Sequence, residues 1–187
     1  LDNPNHRRED ALRSFEATMR DLRLDVLDLF LVHWPMADSP GIDLVDTWRT
    51  MIDILESGRV RAIGVSNFQA EHLRTIIEAT GVTPAVNQIE LHPYLCQEQL
   101  RALHDSLGIV TESWSPLGRG RLLEEPVVRD VAATLGVTPA QVVIRWHVQH
   151  GLVVIPKTTH CERMRVNADV FSFGLSREQM AAIDACD

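Results

Sequence analysis

Short runs of aliphatic and β-branched residues alternate along the chain with longer stretches in which apolar residues recur every three or four positions. The first pattern marks buried strands, the second amphipathic helices. A helix is predicted over residues 6–22, with Leu12, Phe15, Met19 and Leu22 on one face. A buried strand over 26–32 follows and stops at His33-Trp34-Pro35, where proline ends regular pairing. The next helix, 43–57, is expected to bury Val45, Trp48, Ile52 and Leu55 and to close at Gly58. Strand 60–65 runs into Ser66-Asn67-Phe68, and helix 71–79 carries Leu73, Ile76 and Ile77. Strand 85–91 precedes helix 98–107, and strand 109–114 precedes a loop over 115–121.

Two helices come next, 126–135 and 139–149, the second opening with Thr138 as N-cap and Pro139 in the first turn. Strand 152–155, helix 161–170 and a final helix over 176–186, with Ser176 and Gln179 at capping-box spacing, complete the order. No hairpin dipeptide such as Asn-Gly interrupts the alternation, so the strands are predicted to be parallel. No linker, low-complexity tract or charge block divides the chain, so residues 1–187 read as one domain of five βα units.

Composition narrows the partners. A chain of 187 residues, 45% hydrophobic and 24% charged, has enough apolar material for a sizeable core. Its formal charge of -8 argues against binding to nucleic acid or an anionic membrane surface. Cys96, Cys161 and Cys186 are far apart, with no pair at disulfide or thiolate-metal spacing, and no metal site is expected. No apolar run approaches the ~20 residues of a membrane helix, and no signal pattern is present. A cytoplasmic protein is expected. The chain begins at Leu1 with no strand ahead of its first helix, so it is expected to start mid-domain.

Polar groups fall at the C-terminal end of each predicted strand: His33; Ser66 and Asn67; Gln88; Trp114 and Ser115; Lys157 and Thr158. In a parallel barrel those ends converge on one face, where such folds place their sites. A lone strand-end histidine is more often bonded to backbone; the four other polar strand ends make His33 a candidate for chemistry. Side-chain amides also cap strand ends, so backbone capping and amide recognition both account for Asn67 and Gln88. Gly118-Arg119-Gly120 by itself marks a turn. Neither a dinucleotide glycine fingerprint nor a phosphate-loop or nucleophile-elbow motif is present. Lys157, Thr158 and Arg163 lead into the helix beginning near Cys161, a cationic helix start suited to phosphate. His92, His104, His147, His150 and His160 are expected on loops and helix surfaces, without a chemical role.

The strings Val32-His33-Trp34-Pro35, Gly64-Val65-Ser66-Asn67-Phe68, Asn87-Gln88-Ile89-Glu90-Leu91-His92-Pro93, Trp114-Ser115-Pro116-Leu117-Gly118 and Pro156-Lys157-Thr158 stand in order and at suitable spacing. Together they resemble the aldo-keto reductases, in particular the bacterial branch typified by 2,5-diketo-gluconate reductase. The resemblance implies a (β/α)8 TIM barrel, represented here by about its last five βα units, and NADPH-dependent reduction of an aldehyde or ketone. It makes His33 the catalytic histidine and Trp34 a wall of the substrate pocket. It assigns Ser66, Asn67 and Gln88 to the nicotinamide carboxamide and Trp114, often tyrosine in the family, to the nicotinamide ring. Ser115, Pro116, Leu117, Gly118 and Arg119 are placed along the pyrophosphate. Lys157, Thr158, Thr159 and Arg163 surround the 2′-phosphate, and Asn167 contacts adenine. Val166 stands where the family often has glutamate, which implies weaker adenosine affinity.

The family's tyrosine proton donor, with the lysine and aspartate that tune it, would lie ahead of Leu1, and Tyr94 does not match that tyrosine. The expectation is therefore a cofactor site with one catalytic residue, His33, on five strands that cannot close an eight-stranded barrel. A truncated, inactive module is the alternative to a working reductase. A monomer is the family expectation.

Overall fold

A computed structural model describes residues 1–187. Its elements alternate as predicted: α1 (Arg8–Leu22), β1 (Leu27–Val32), α2 (Leu44–Glu56), β2 (Val60–Ser66), α3 (Ala70–Thr80), β3 (Val86–Glu90) and α4 (Glu98–Leu107). Then follow β4 (Val110–Trp114), α5 (Pro126–Leu135), α6 (Pro139–Gln149), β5 (Val153–Val154), α7 (Cys161–Ala168) and α8 (Arg177–Asp184). The five strands form a sheet in sequence order, with β1–β2, β2–β3 and β4–β5 paired in parallel. The helix starts follow local chemistry: Asp43 caps α2 through the Val45 and Asp46 N–H groups, while Thr138 and Ser176 form capping boxes with Gln141 and Gln179.

The chain divides into two compact units. The first comprises Leu1–Gln88 with Gln99–Val110, the second Ile89–Glu98 with Thr111–Asp187. In the first, Phe15 meets the Phe30 ring edge-on at 5.3 Å, and Met19, Trp48, Met51, Ile54, Ile63, Leu73 and Ile76 complete an apolar interior. Gly64 on β2 answers a packing demand: a Cβ there would lie 2.6 Å from the Val86 carbonyl and 2.7 Å from Leu31 Cδ2. In the second, Leu122, Val128, Val142, Val143, Trp146 and Ile183 are buried, and the Trp146 indole N–H donates to Asp184 Oδ1 at 2.7 Å.

Three expectations need correction. The buried stripe of α2 is Leu44, Thr47, Trp48, Met51 and Ile54, whereas Val45, Ile52 and Leu55 are only partly covered. Thr47 and Thr50 go inside because their hydroxyls donate to the Asp43 and Asp46 carbonyls one turn earlier. On α1, Ala11 rather than Leu22 joins Phe15 and Met19 inside, and Leu22 is exposed. His92, His104 and His147 are interior groups, not surface ones.

No single helix is long and apolar enough to cross a membrane; α5 and α6 reach that length and composition only as a pair bent by 95°. Both helices turn valines into the second unit's interior.

Candidate functional site

In the first unit, three strand ends meet. His33 follows β1, Ser66 closes β2 and Gln88 lies on β3; all three line a cavity of about 350 Å³ with Leu1, Asp2 and Leu31. The Ser66 hydroxyl donates to the Gln88 carbonyl at 2.8 Å, and the Asn67 N–H donates to the same oxygen at 2.9 Å. Asn67 sits in the left-handed region at φ 64°, a conformation asparagine tolerates better than most residues. From there its Nδ2 donates to the His33 carbonyl at 2.9 Å and to Ser66 Oγ at 3.0 Å. Backbone capping and site architecture thus coincide: the amide that ties β2 to the end of β1 also fixes where the His33 ring begins.

The His33 ring is more than half exposed, with Nδ1 3.5 Å from Asp2 Oδ1. Interaction with a carboxylate at Nδ1 favours a hydrogen there and orients the ring. Trp34 meets His33 edge-on with ring centroids 6.5 Å apart, and is 41% exposed. It does not line the cavity.

The second unit has its own concave site, a cavity of about 470 Å³. It brings together Leu117, Lys157, Thr158, Arg163 and Asn167 from the predicted set, with Val166 beside them. Lys157 and Arg163 make no ion pair within the chain, while the neighbouring acids are engaged elsewhere, Glu124 with Arg129 at 3.1 Å and Glu162 with Arg165 at 3.6 Å. Trp114, Ser115, Pro116, Gly118, Arg119 and Thr159 are not among the lining residues. The turn after β4 is tightly coiled: Ser115, Gly118, Arg119 and Gly120 all have positive φ, and the Gly118 N–H donates to the Ser115 carbonyl at 2.9 Å. The cavity also takes in Thr138, Leu123, Glu124 and Glu162, which sequence reasoning missed. Thr138 carried a visible signal as the α6 N-cap; the two glutamates had none beyond their helix-end positions.

Buried polar groups sit immediately behind these strand ends. In the first unit Asn87 bonds His104, and in the second Ser113 bonds His147, each at a histidine with no exposed surface. Burial lowers both histidines from 6.5 to about 4, so both are neutral at physiological pH. Tyr94, the only tyrosine, donates its O–H to Glu125 Oε2 at 2.6 Å; that hydrogen bond, with burial and the carboxylate charge, pushes its pKa up to about 12.

The sequence profile described as the Aldo/keto reductase family matches residues 2–187. The chain belongs to the aldo/keto reductase family. Among curated relatives, 2,5-diketo-D-gluconic acid reductase B of Corynebacterium sp. (strain SHS752001) is 53% identical over 184 residues, covering 97% of this chain and 65% of the relative. Methylglyoxal reductase DkgA of Escherichia coli (strain K12) is 45% identical, covering 99% and 66%. An aldo-keto reductase of Mycolicibacterium smegmatis is 51% identical, covering 92% of this chain and 62% of its own length. The chain thus spans less than two thirds of the length of these relatives. Among solved structures, the Gox0644 D53A mutant in complex with NADPH superposes with a TM-score of 0.97 at 49% identity, over 100% of this chain and 68% of that one. The Bombyx mori aldo-keto reductase in complex with NADP gives 0.90 at 34% identity, over 100% and 66%. The five parallel strands and their helices therefore match the corresponding part of the family's TIM barrel.

Proposed function

We propose that this chain supplies the cofactor site and the carbonyl-orienting histidine of an NADPH-dependent aldehyde or ketone reductase. The observation that carries the reading is the cavity in which Lys157 and Arg163 stand beside Thr158 and the start of α7 without an ion-pair partner. Uncompensated cations at a helix start suit the 2′-phosphate that separates NADPH from NADH. Bound there, NADPH supplies the hydride for carbonyl reduction.

The chain's own residues bind and orient. Ser66, Asn67 and Gln88 are assigned to the nicotinamide carboxamide and Trp114 to the nicotinamide face. Ser115, Pro116, Leu117, Gly118 and Arg119 are assigned to the pyrophosphate, Thr159 to the 2′-phosphate region and Asn167 to adenine. Asp2 stands 3.5 Å from Nδ1 of His33, and the ring, lining the cavity, is assigned to orient a substrate carbonyl. Trp34, beside His33 but outside the cavity lining, is assigned as an apolar wall for the substrate. The diketo acid and methylglyoxal in the relatives' names favour a compact, oxygen-rich carbonyl substrate. Three free cysteines suit a reducing compartment such as the cytoplasm, and a monomer is the simplest assembly.

A second reading concerns the 187-residue polypeptide by itself: a cofactor-binding module with little turnover. Tyr94 favours it, because a phenol raised to about 12 and bonded to Glu125 is a poor proton donor near neutrality. A positioned general acid is worth roughly 10²- to 10⁴-fold in rate. NADPH fluorescence titration of the chain, run beside an aldehyde-reduction assay, tests both readings. Binding is expected with turnover reduced by at least that factor relative to DkgA. No NADPH binding sinks the first reading, and turnover comparable to DkgA sinks the second.

A further inference from the structure

Strand alternation gives consecutive residues of β3 opposite surroundings: Gln88 lines the first unit's cavity, while Asn87 has no exposed surface. The Asn87 side chain nevertheless governs the turn on which the cavity depends. Its Nδ2 donates to the Phe68 carbonyl at 2.9 Å, and its Oδ1 accepts the Phe68 N–H at 3.4 Å. Phe68 directly follows Asn67, the left-handed residue that ties Ser66 and the His33 carbonyl together. The orientation of the Asn87 amide therefore sets how that turn is held.

An asparagine amide is nearly symmetric in shape and opposite in chemistry at its two ends. The ends are distinguished here by the Phe68 backbone and, at Nδ2, by His104 on α4. Its Nε2 lies 2.9 Å from Asn87 Nδ2 and takes the second amide hydrogen. That bond requires a lone pair on Nε2, so His104 carries its hydrogen on Nδ1. Without an acceptor at position 104, one Asn87 N–H is left buried and unmet. A flip of the amide would instead set Nδ2 against the Phe68 N–H and Oδ1 against the Phe68 carbonyl. Either outcome loosens the turn.

We infer that His104 is a positioning residue for nicotinamide binding: through Asn87 it fixes the Asn67-Phe68 turn, and with it the amides of Asn67 and Gln88. The inference rests on the carboxamide assignment of Ser66, Asn67 and Gln88 made above. A comparable arrangement recurs in the second unit, where His147 Nε2 lies 3.1 Å from the hydroxyl of Ser113, the residue before Trp114. In both places a buried helix histidine holds the residue that precedes a cofactor candidate on its strand.

The test uses two ligands that read different parts of the cofactor. NADPH carries the nicotinamide; adenosine 2′,5′-bisphosphate carries only the phosphate-bearing nucleoside. In the 187-residue chain, His104→Leu keeps the bulk and removes the acceptor, while His104→Gln restores an acceptor. His104→Leu is expected to weaken NADPH at least tenfold and to leave the bisphosphate within twofold of the unsubstituted chain; His104→Gln is expected to stay within threefold for both. His104→Cys, smaller and a weak acceptor, is run in parallel in case the leucine variant does not fold, and is expected to lose NADPH with the same selectivity. Equal loss of both ligands would show a merely structural role and overturn the inference, as would unchanged NADPH binding by His104→Leu or a glutamine variant as weak as the leucine one. Asn67→Ala and Gln88→Ala separate the two layers. If neither weakens NADPH, the carboxamide assignment falls and this inference with it; if both do while His104→Leu does not, the inference alone falls.

Discussion

Acid should destabilise this chain through two identifiable side chains. His104 and His147 have no exposed surface, and burial holds both near 4 rather than 6.5. A folded-state value below the unfolded one means that the unfolded chain takes up protons first as pH falls. Stability is therefore fully present above about 6.5, declines between 6.5 and about 4, and levels off below. Integrated from pH 7.5 to 4.5, each histidine costs roughly 2–3 kcal/mol, so the pair removes a substantial part of a domain stability of order 5–15 kcal/mol. His6 and His92 are also lowered by burial and act in the same direction, so the attribution needs substitutions. Urea unfolding followed by tryptophan fluorescence at pH 7.5, 6.0, 5.0 and 4.5 is the assay, with stability taken from midpoint and slope. The double variant His104→Gln, His147→Gln is expected to start less stable at pH 7.5 and to lose much less than the unsubstituted chain on acidification. Parallel pH curves for the two proteins would refute the assignment, because the titrating groups would then lie elsewhere.

Other outcomes follow from single contacts. Arg163→Ala should weaken NADPH about 10- to 100-fold, the worth of a hydrogen bond to a charged group, and leave NADH nearly unchanged; equal weakening in fluorescence titrations would remove the 2′-phosphate assignment. Lys157 is the only lysine in the chain, so acetylation read by peptide mass spectrometry reports that position alone among side chains, and NADPH is expected to slow it severalfold. Gly64→Ala would press a methyl against the Val86 carbonyl and should lower stability by about 1–3 kcal/mol in urea unfolding, whereas an unchanged midpoint would show that β2 and β3 can spread.

The βα order, the N-cap at Thr138, the capping box at Ser176 and the polar strand ends were legible because each depends on residues a few positions apart. Periodicity places a residue on a strand or helix, and turn chemistry marks where that element stops. What periodicity misjudged were polar residues whose partners hide their polarity. Thr47 and Thr50 look like surface positions of α2 until their hydroxyls are seen returning to the Asp43 and Asp46 carbonyls, which lets that face turn inward. The same holds for His104 and His147, whose partners Asn87 and Ser113 lie 17 and 34 positions earlier. A polar side chain is expensive inside only when unmet, and whether it is met is decided by the far end of a contact that no local window contains. The strand-end cluster escaped this difficulty because exposure at a cavity does not require a buried partner: Lys157 and Arg163 stand out as cations with none. Part of the cavity lining, His33, Ser66, Gln88, Leu117, Lys157, Thr158, Arg163 and Asn167, could therefore be named from the chain alone, while the buried pairs behind the strands, Asn87 with His104 and Ser113 with His147, became visible only in three dimensions.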